Sequence, residues 1–421
     1  IKIVGWKFVE RSKRLHNARS PPFRFLPVFS RNTGFLQLRI GLQNAMQLLT
    51  SLLLLIVVAR LLGHLFARWG QPAIVGEMLA GVLLGPSVLD LIQPNEALSG
   101  IAQLAVFLVV LSAGIEMDFR SVIAAMRGRG LVVAAIGFLL PFGGGMLIAW
   151  AYALDPMRTV FMGLCIAITA LPVAARMLGD MGLIETPIAR YAIATAILND
   201  VVALFILGVI LALPADSGTP ELLASGALSC LKLLGLALLV IGANSLIRWL
   251  EQRGTGLSTV TERLIAVFGA EALFGMVVVF VLFFGTISET LGFHFVIGAF
   301  FGALMLDRRQ FVPQRFEELK HTLASVTAGF LSPIFFADLG LDFTFRAFSQ
   351  IDFVLVVHVV SVATKLLAGW WGGRLAGMPH REALGLGSVL NGRGVMELVV
   401  ATIAYDRGFI GPTMFATLVL M

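Results

Sequence analysis

Six polar side chains stand where membrane-length apolar runs would ordinarily exclude them. Asp200 lies near the middle of "ATAILNDVVALFILGVI" (194–210), with Asn199 beside it. Lys365 lies near the centre of the apolar run 351–373, in "VVSVATKLLAGWW". Thr169 belongs to "AITALPVAARML" (167–178), and Arg393 and Glu397 to "SVLNGRGVMEL" (388–398). A carboxylate at a bilayer centre costs at least about 2.5–3.5 kcal/mol, so such groups mark ion paths, proton relays or paired charges. Asp200 can hold a cation or a proton. The neutral oxygens of Asn199 and Thr169 suit a dehydrated alkali ion, because hard cations take oxygen ligands. Thr169 reads equally well as a group that satisfies frayed backbone. Lys365 either neutralises Asp200 in a structural pair or compensates charge at an ion site. Arg393 and Glu397 read as an ion pair that neutralises helix ends, in preference to direct ion contact. Glu77 and Glu271 read as local hydrogen-bonding or interface residues.

The elements that position these groups follow from composition. Of 421 residues, 58% are hydrophobic and only 13% charged, against roughly a quarter charged in soluble domains. Such a chain cannot cover itself with polar surface; it is an all-α polytopic membrane protein. Apolar segments of helix length fall at about 44–66, 73–90, 97–115, 130–153, 158–178, 187–213, 221–250, 264–288, 293–306, 322–340, 351–373, 382–405 and 411–421, about thirteen spans. Lys and Arg crowd alternate loops, from Arg68 through Arg308, Arg309 and Lys320 to Arg374 and Arg381, while the opposite loops hold Arg158, Arg346 and Arg407. The crowded side is cytoplasmic. The net charge of +6 therefore says little about nucleic acid, and none is expected as a partner. Residues 1–45 form a basic tail that contradicts the loop bias, and are expected to be disordered or non-native, with Met46 directly before the first span. The two cysteines, Cys165 and Cys230, lie in apolar runs and read as packing residues. No HExxH-like or Cys/His cluster supports a metal centre, a cofactor or an enzyme.

Three pairs of segments match at one nearly constant offset. They are "LSAGIEMDFR" (111–120) with "ADLGLDFTFR" (337–346), "AGVLLG" (80–85) with "FGALML" (301–306), and two interrupted helices, one broken by Pro172, the other by Gly392 and Gly394. An odd number of intervening spans inverts the second copy. Inverted repeats with a broken helix in each half point to a secondary transporter. Backbone freed at a break must be satisfied by protein or water, so the breaks line a cavity.

"GEMLAGVLLGPSVL", "FLVVLSAGIEMDFR", "AITALPVAARML", "AILNDVVAL", "IGAFFGALML" and "NGRGVMELVV", in that order, resemble the monovalent cation:proton antiporter-2 family, with Kef-type potassium efflux proteins and plant cation/H+ exchangers as relatives. The resemblance implies the sodium/proton antiporter fold with two crossing broken helices, and a homodimer. It implies a dimerisation part at about 46–120 and 256–345, a core part at about 130–213 and 351–421, and a linking helix at about 221–250. Asp200 would be the acid shared by cation and proton, and Lys365 its basic counterpart. Electrogenic sodium antiporters of this fold carry two adjacent aspartates where this chain has Asn199-Asp200; the Asn-Asp pair resembles electroneutral exchangers. The expected function is exchange of K+ or Na+ for protons by alternating access, in the plasma membrane of a bacterium. The alternative is a Kef-type ligand-gated potassium efflux channel.

Overall fold

The computed structural model describes residues 33–421 except 118–127, 184, 213–218, 254–256, 270, 307 and 346–349. Contacts divide the chain into Ile1–Gln47 and Leu48–Met421. The first unit is described only from Thr33, as helix; all that follows concerns the second.

Its helices are α1 (Leu48–Arg68), α2 (Ala73–Leu84), α3 (Glu96–Glu116), α4 (Arg129–Ala151), α5 (Pro156–Ala167) and α6 (Leu171–Asp180). Then come α7 (Pro187–Leu211), α8 (Thr219–Gln252), α9 (Leu257–Phe268), α10 (Glu271–Thr290) and α11 (Phe295–Leu304). The last are α12 (Pro313–Leu341), α13 (Ile351–Leu375), α14 (His380–Leu390), α15 (Val395–Asp406) and α16 (Pro412–Leu420). Local sequence marks the starts. Asn95, Asp155 and Thr186 accept backbone N–H groups as caps of α3, α5 and α7. Proline occupies the first turn of α5, α6, α7, α12 and α16, where its missing N–H costs nothing.

Every apolar run has its helix, but the count of about thirteen spans is not confirmed. Among the described residues eight helices are long and apolar enough to cross a membrane, or nine with the bent pair α14–α15. The difference lies in α2, α5, α6, α11 and α16. A 12-residue helix is about 18 Å long, against about 30 Å of hydrocarbon. Hydropathy counts apolar residues and is blind to where a helix stops within them.

Packing sorts the helices into two groups. α4 lies against α5, α7 and α13, α13 against α14, and α14 against α6 and α7. Separately, α2 packs on the C-terminal half of α12, α3 on α11 and α12, and α10 on α9 and α11. α8 touches α7 of the first group and α9 and α11 of the second. The matched short helices of the repeat, α2 and α11, both belong to the second group. Of the first matched pair, residues 118–120 and 346 lie outside the described residues.

Candidate ion-exchange site

Both runs read as interrupted are broken, the first a few residues before Pro172. α5 ends at Ala167, Ile168–Ala170 are extended, and α6 restarts at Leu171. Pro172 is therefore not the break itself but the first turn of the second half, where proline is tolerated. The second break is Asn391–Gly394, and its two halves are bent by 43°. The breaks meet: the N–H of Ala170 donates to Gly392 O at 2.9 Å, and Thr169 Oγ1 donates to Leu390 O at 3.1 Å. A Cβ on Gly394 would stand 2.6 Å from that of Ala170, so the approach needs glycine there.

The freed carbonyls have named donors. Lys365 Nζ donates to Ala167 O and, at 2.6 Å, to Thr169 Oγ1. Asn199 Nδ2 donates to the same Ala167 O at 3.1 Å. Arg393 donates to Cys165 O at 3.0 Å and to Ser361 Oγ, and its guanidinium pairs with Glu397 at 3.0 Å. Two cations thus face the C-terminal end of α5, where a helix dipole is negative, and Glu397 stands in the first turn of α15, where it is positive. Each charge suits the half-helix end it faces.

Asp200 is different. It is 1% exposed at the middle of α7, and its Oδ1 has no hydrogen-bond partner. Among the described residues it forms no ion pair within 4 Å: Lys365, near enough to act on it through space, gives its hydrogen bonds to the first break. Asn199 Oδ1 and Thr195 Oγ1 on the same helix are also buried without partners. An unpaired buried polar oxygen costs roughly 1–3 kcal/mol, so three on one helix are a concentrated cost in the fold. Thr169, by contrast, is held on both sides, by Lys365 and by Leu390 O. A cavity of about 720 Å³ reaches the second break, lined by Met78, Val173, Gly392, Arg393, Gly394 and Glu397 among others.

The structure thus brings Thr169, Asn199, Lys365, Arg393 and Glu397 to two crossed breaks, with Asp200 next to Asn199. Sequence reasoning did not single out Ser361, which takes a hydrogen bond from Arg393. Its signal was its place one helical turn before Lys365, on the same face. The backbone acceptors Cys165 O and Ala167 O carry no side-chain signal at all.

The sodium/hydrogen exchanger transmembrane family model matches residues 52–421. The chain belongs to that family. Its members are transporters, not enzymes. The chain is similar to the Na+/H+-K+ antiporter GerN of Bacillus cereus, 25% identical over 372 residues, covering 87% of this chain and 90% of that one. Cation/H+ antiporter 20 of Arabidopsis thaliana is 29% identical over 435 residues, 95% of this chain but 50% of that longer protein. The sodium proton antiporter MjNhaP1 of Methanocaldococcus jannaschii superposes with a TM-score of 0.66 at 17% identity, covering 89% and 92% of the two chains. The exchanger chain therefore has the sodium/proton antiporter fold, in a multi-pass membrane protein.

Proposed function

We propose that this exchanger swaps a monovalent cation, K+ or Na+, for protons by alternating access, with Asp200 as the carboxylate both ions share. Asp200 itself supports this reading: it is buried, unpartnered and beside the joined breaks. A bare carboxylate is costly to move past an apolar gate, whereas a bound cation or proton neutralises it. The empty carrier therefore stays where it is, and exchange is enforced. Asn199 Oδ1 adds a neutral ligand, and Thr169 closes the site from the first break. Lys365 and Arg393, with Glu397, compensate the half-helix ends, so the charge of Asp200 is left for the transported ion.

The core part, about 130–213 and 351–421, moves against the dimerisation part, about 46–120 and 256–345, with 221–250 as the linking helix. The close packing of α4 with α7 and α13, and of α2 and α3 with α12, supports that reading. The protein works as a homodimer in the plasma membrane of a bacterium; the relatives in Bacillus cereus and Enterococcus hirae, named as antiporters, favour that setting. The test is proton movement in vesicles holding the purified protein, with Na+ and K+ supplied in turn. A cation gradient should drive protons the other way. Cation flux without proton movement would refute exchange and leave a channel.

A further inference from the structure

One buried acid plays no part in this exchange. Glu77 lies on α2, is 5% exposed, and among the described residues has neither a hydrogen bond nor an ion pair. It lines a crevice of about 290 Å³ with Arg60, Gly63, His64, Ala67 and Ala73. The carboxylate lies along Gly63 of α1, where an added Cβ would stand 3.1 Å from Glu77 Cγ and 3.4 Å from Oε1. At the mouth, Arg60 and His64 are exposed. Arg60 also donates to Ala328 O, 3.2 Å away in the π-helical turn Thr327–Leu331 of α12, which fixes its position. α1 is the least buried of the eight spans. Leu49, Leu53, Val57 and Leu61 form an exposed ladder at helical spacing along it, ending beside Arg60.

We infer that the α1–α2 crevice binds a phospholipid with a primary-amine headgroup, phosphatidylethanolamine. The order of charges decides this. A lipid entering sideways leads with its ammonium, follows with its phosphate, and trails its acyl chains. The crevice offers a carboxylate at its base, two bases at its mouth, and an apolar ladder beyond. A primary ammonium gives Glu77 the hydrogen-bond donors it lacks, and a trimethylated amine has none to give. Arg60 takes the phosphate. The lipid would tie α1 to α2 on helices that hold none of the exchange-site residues.

The test is binding to the full chain in detergent, by native mass spectrometry, of phosphatidylethanolamine, phosphatidylcholine and phosphatidylglycerol. Phosphatidylethanolamine should bind about tenfold or more tightly than phosphatidylcholine, the worth of one charge-assisted hydrogen bond. Glu77→Gln should erase that preference. Gly63→Ala, which keeps the charge but crowds the carboxylate, should weaken it, so the inference does not rest on one variant. Equal binding of the amine and trimethylated lipids to the unmutated protein would overturn it. So would an undiminished preference in Glu77→Gln, or loss of dimers in that variant where the unmutated protein shows no lipid preference, which would make the crevice a contact between copies.

Discussion

At the residue scale, the hydrogen bonds of Lys365 go to the first break, while Asp200 Oδ1 has no partner. Lys365 was open to reading as the partner of Asp200, yet its ammonium serves Ala167 O and Thr169. Lys365→Ala should therefore act on the break. The freed groups keep a donor only in Asn199, and stability should fall by about 1–3 kcal/mol. Thermal unfolding in detergent checks this, and an unchanged midpoint would show the bonds are dispensable. Asn199→Asp adds a second carboxylate beside the first. Two acids so close titrate as a unit and hold an extra proton. The unmutated exchanger should move no net charge per cycle, and the variant should generate a transport current under a cation gradient on a supported membrane. A clear current from the unmutated protein would show that a second group already cycles a proton.

At the scale of elements, the breaks were legible because Pro172, just after the first break, and the Gly392–Gly394 pair fall in strongly apolar runs at matched positions. What the residues did not reveal is how the breaks touch. The bond from Ala170 N to Gly392 O joins two backbones more than 200 positions apart and leaves no side-chain trace. Helix lengths were equally hidden, since α2 and α5 stop inside or beside apolar sequence without a charged residue to mark it. Gly394→Ala should force its Cβ against that of Ala170, 2.6 Å away, and cost about 1–3 kcal/mol as overpacking. Ala170→Gly in the same chain should recover most of that loss, because the two changes share one contact. Lack of recovery in a thermal-shift comparison of single and double variants would mean that Gly394 is needed for its backbone and not for the crossing.

At the scale of the whole molecule, the positive charges at the breaks are already committed to half-helix ends, and the carboxylate of Asp200 is left over. On the proposed mechanism coupling follows from that surplus: the core part would cross the membrane barrier only when Asp200 is neutralised by one ion or the other. Family and fold were readable from six ordered motifs, and the comparison with MjNhaP1 agrees with them in fold. Asp200, on which the proposed exchange turns, stood out in the sequence as a carboxylate in an apolar run; that its Oδ1 is buried without a partner is visible only in the structure. Asp200→Asn keeps the size and removes the charge, so the variant should fold and insert normally. The most direct measurement is cation-driven proton movement in vesicles holding equal amounts of the unmutated protein and of Asp200→Asn. The unmutated protein should move protons against the applied cation gradient and the variant none. Cation-dependent proton movement retained in Asp200→Asn would contradict the account.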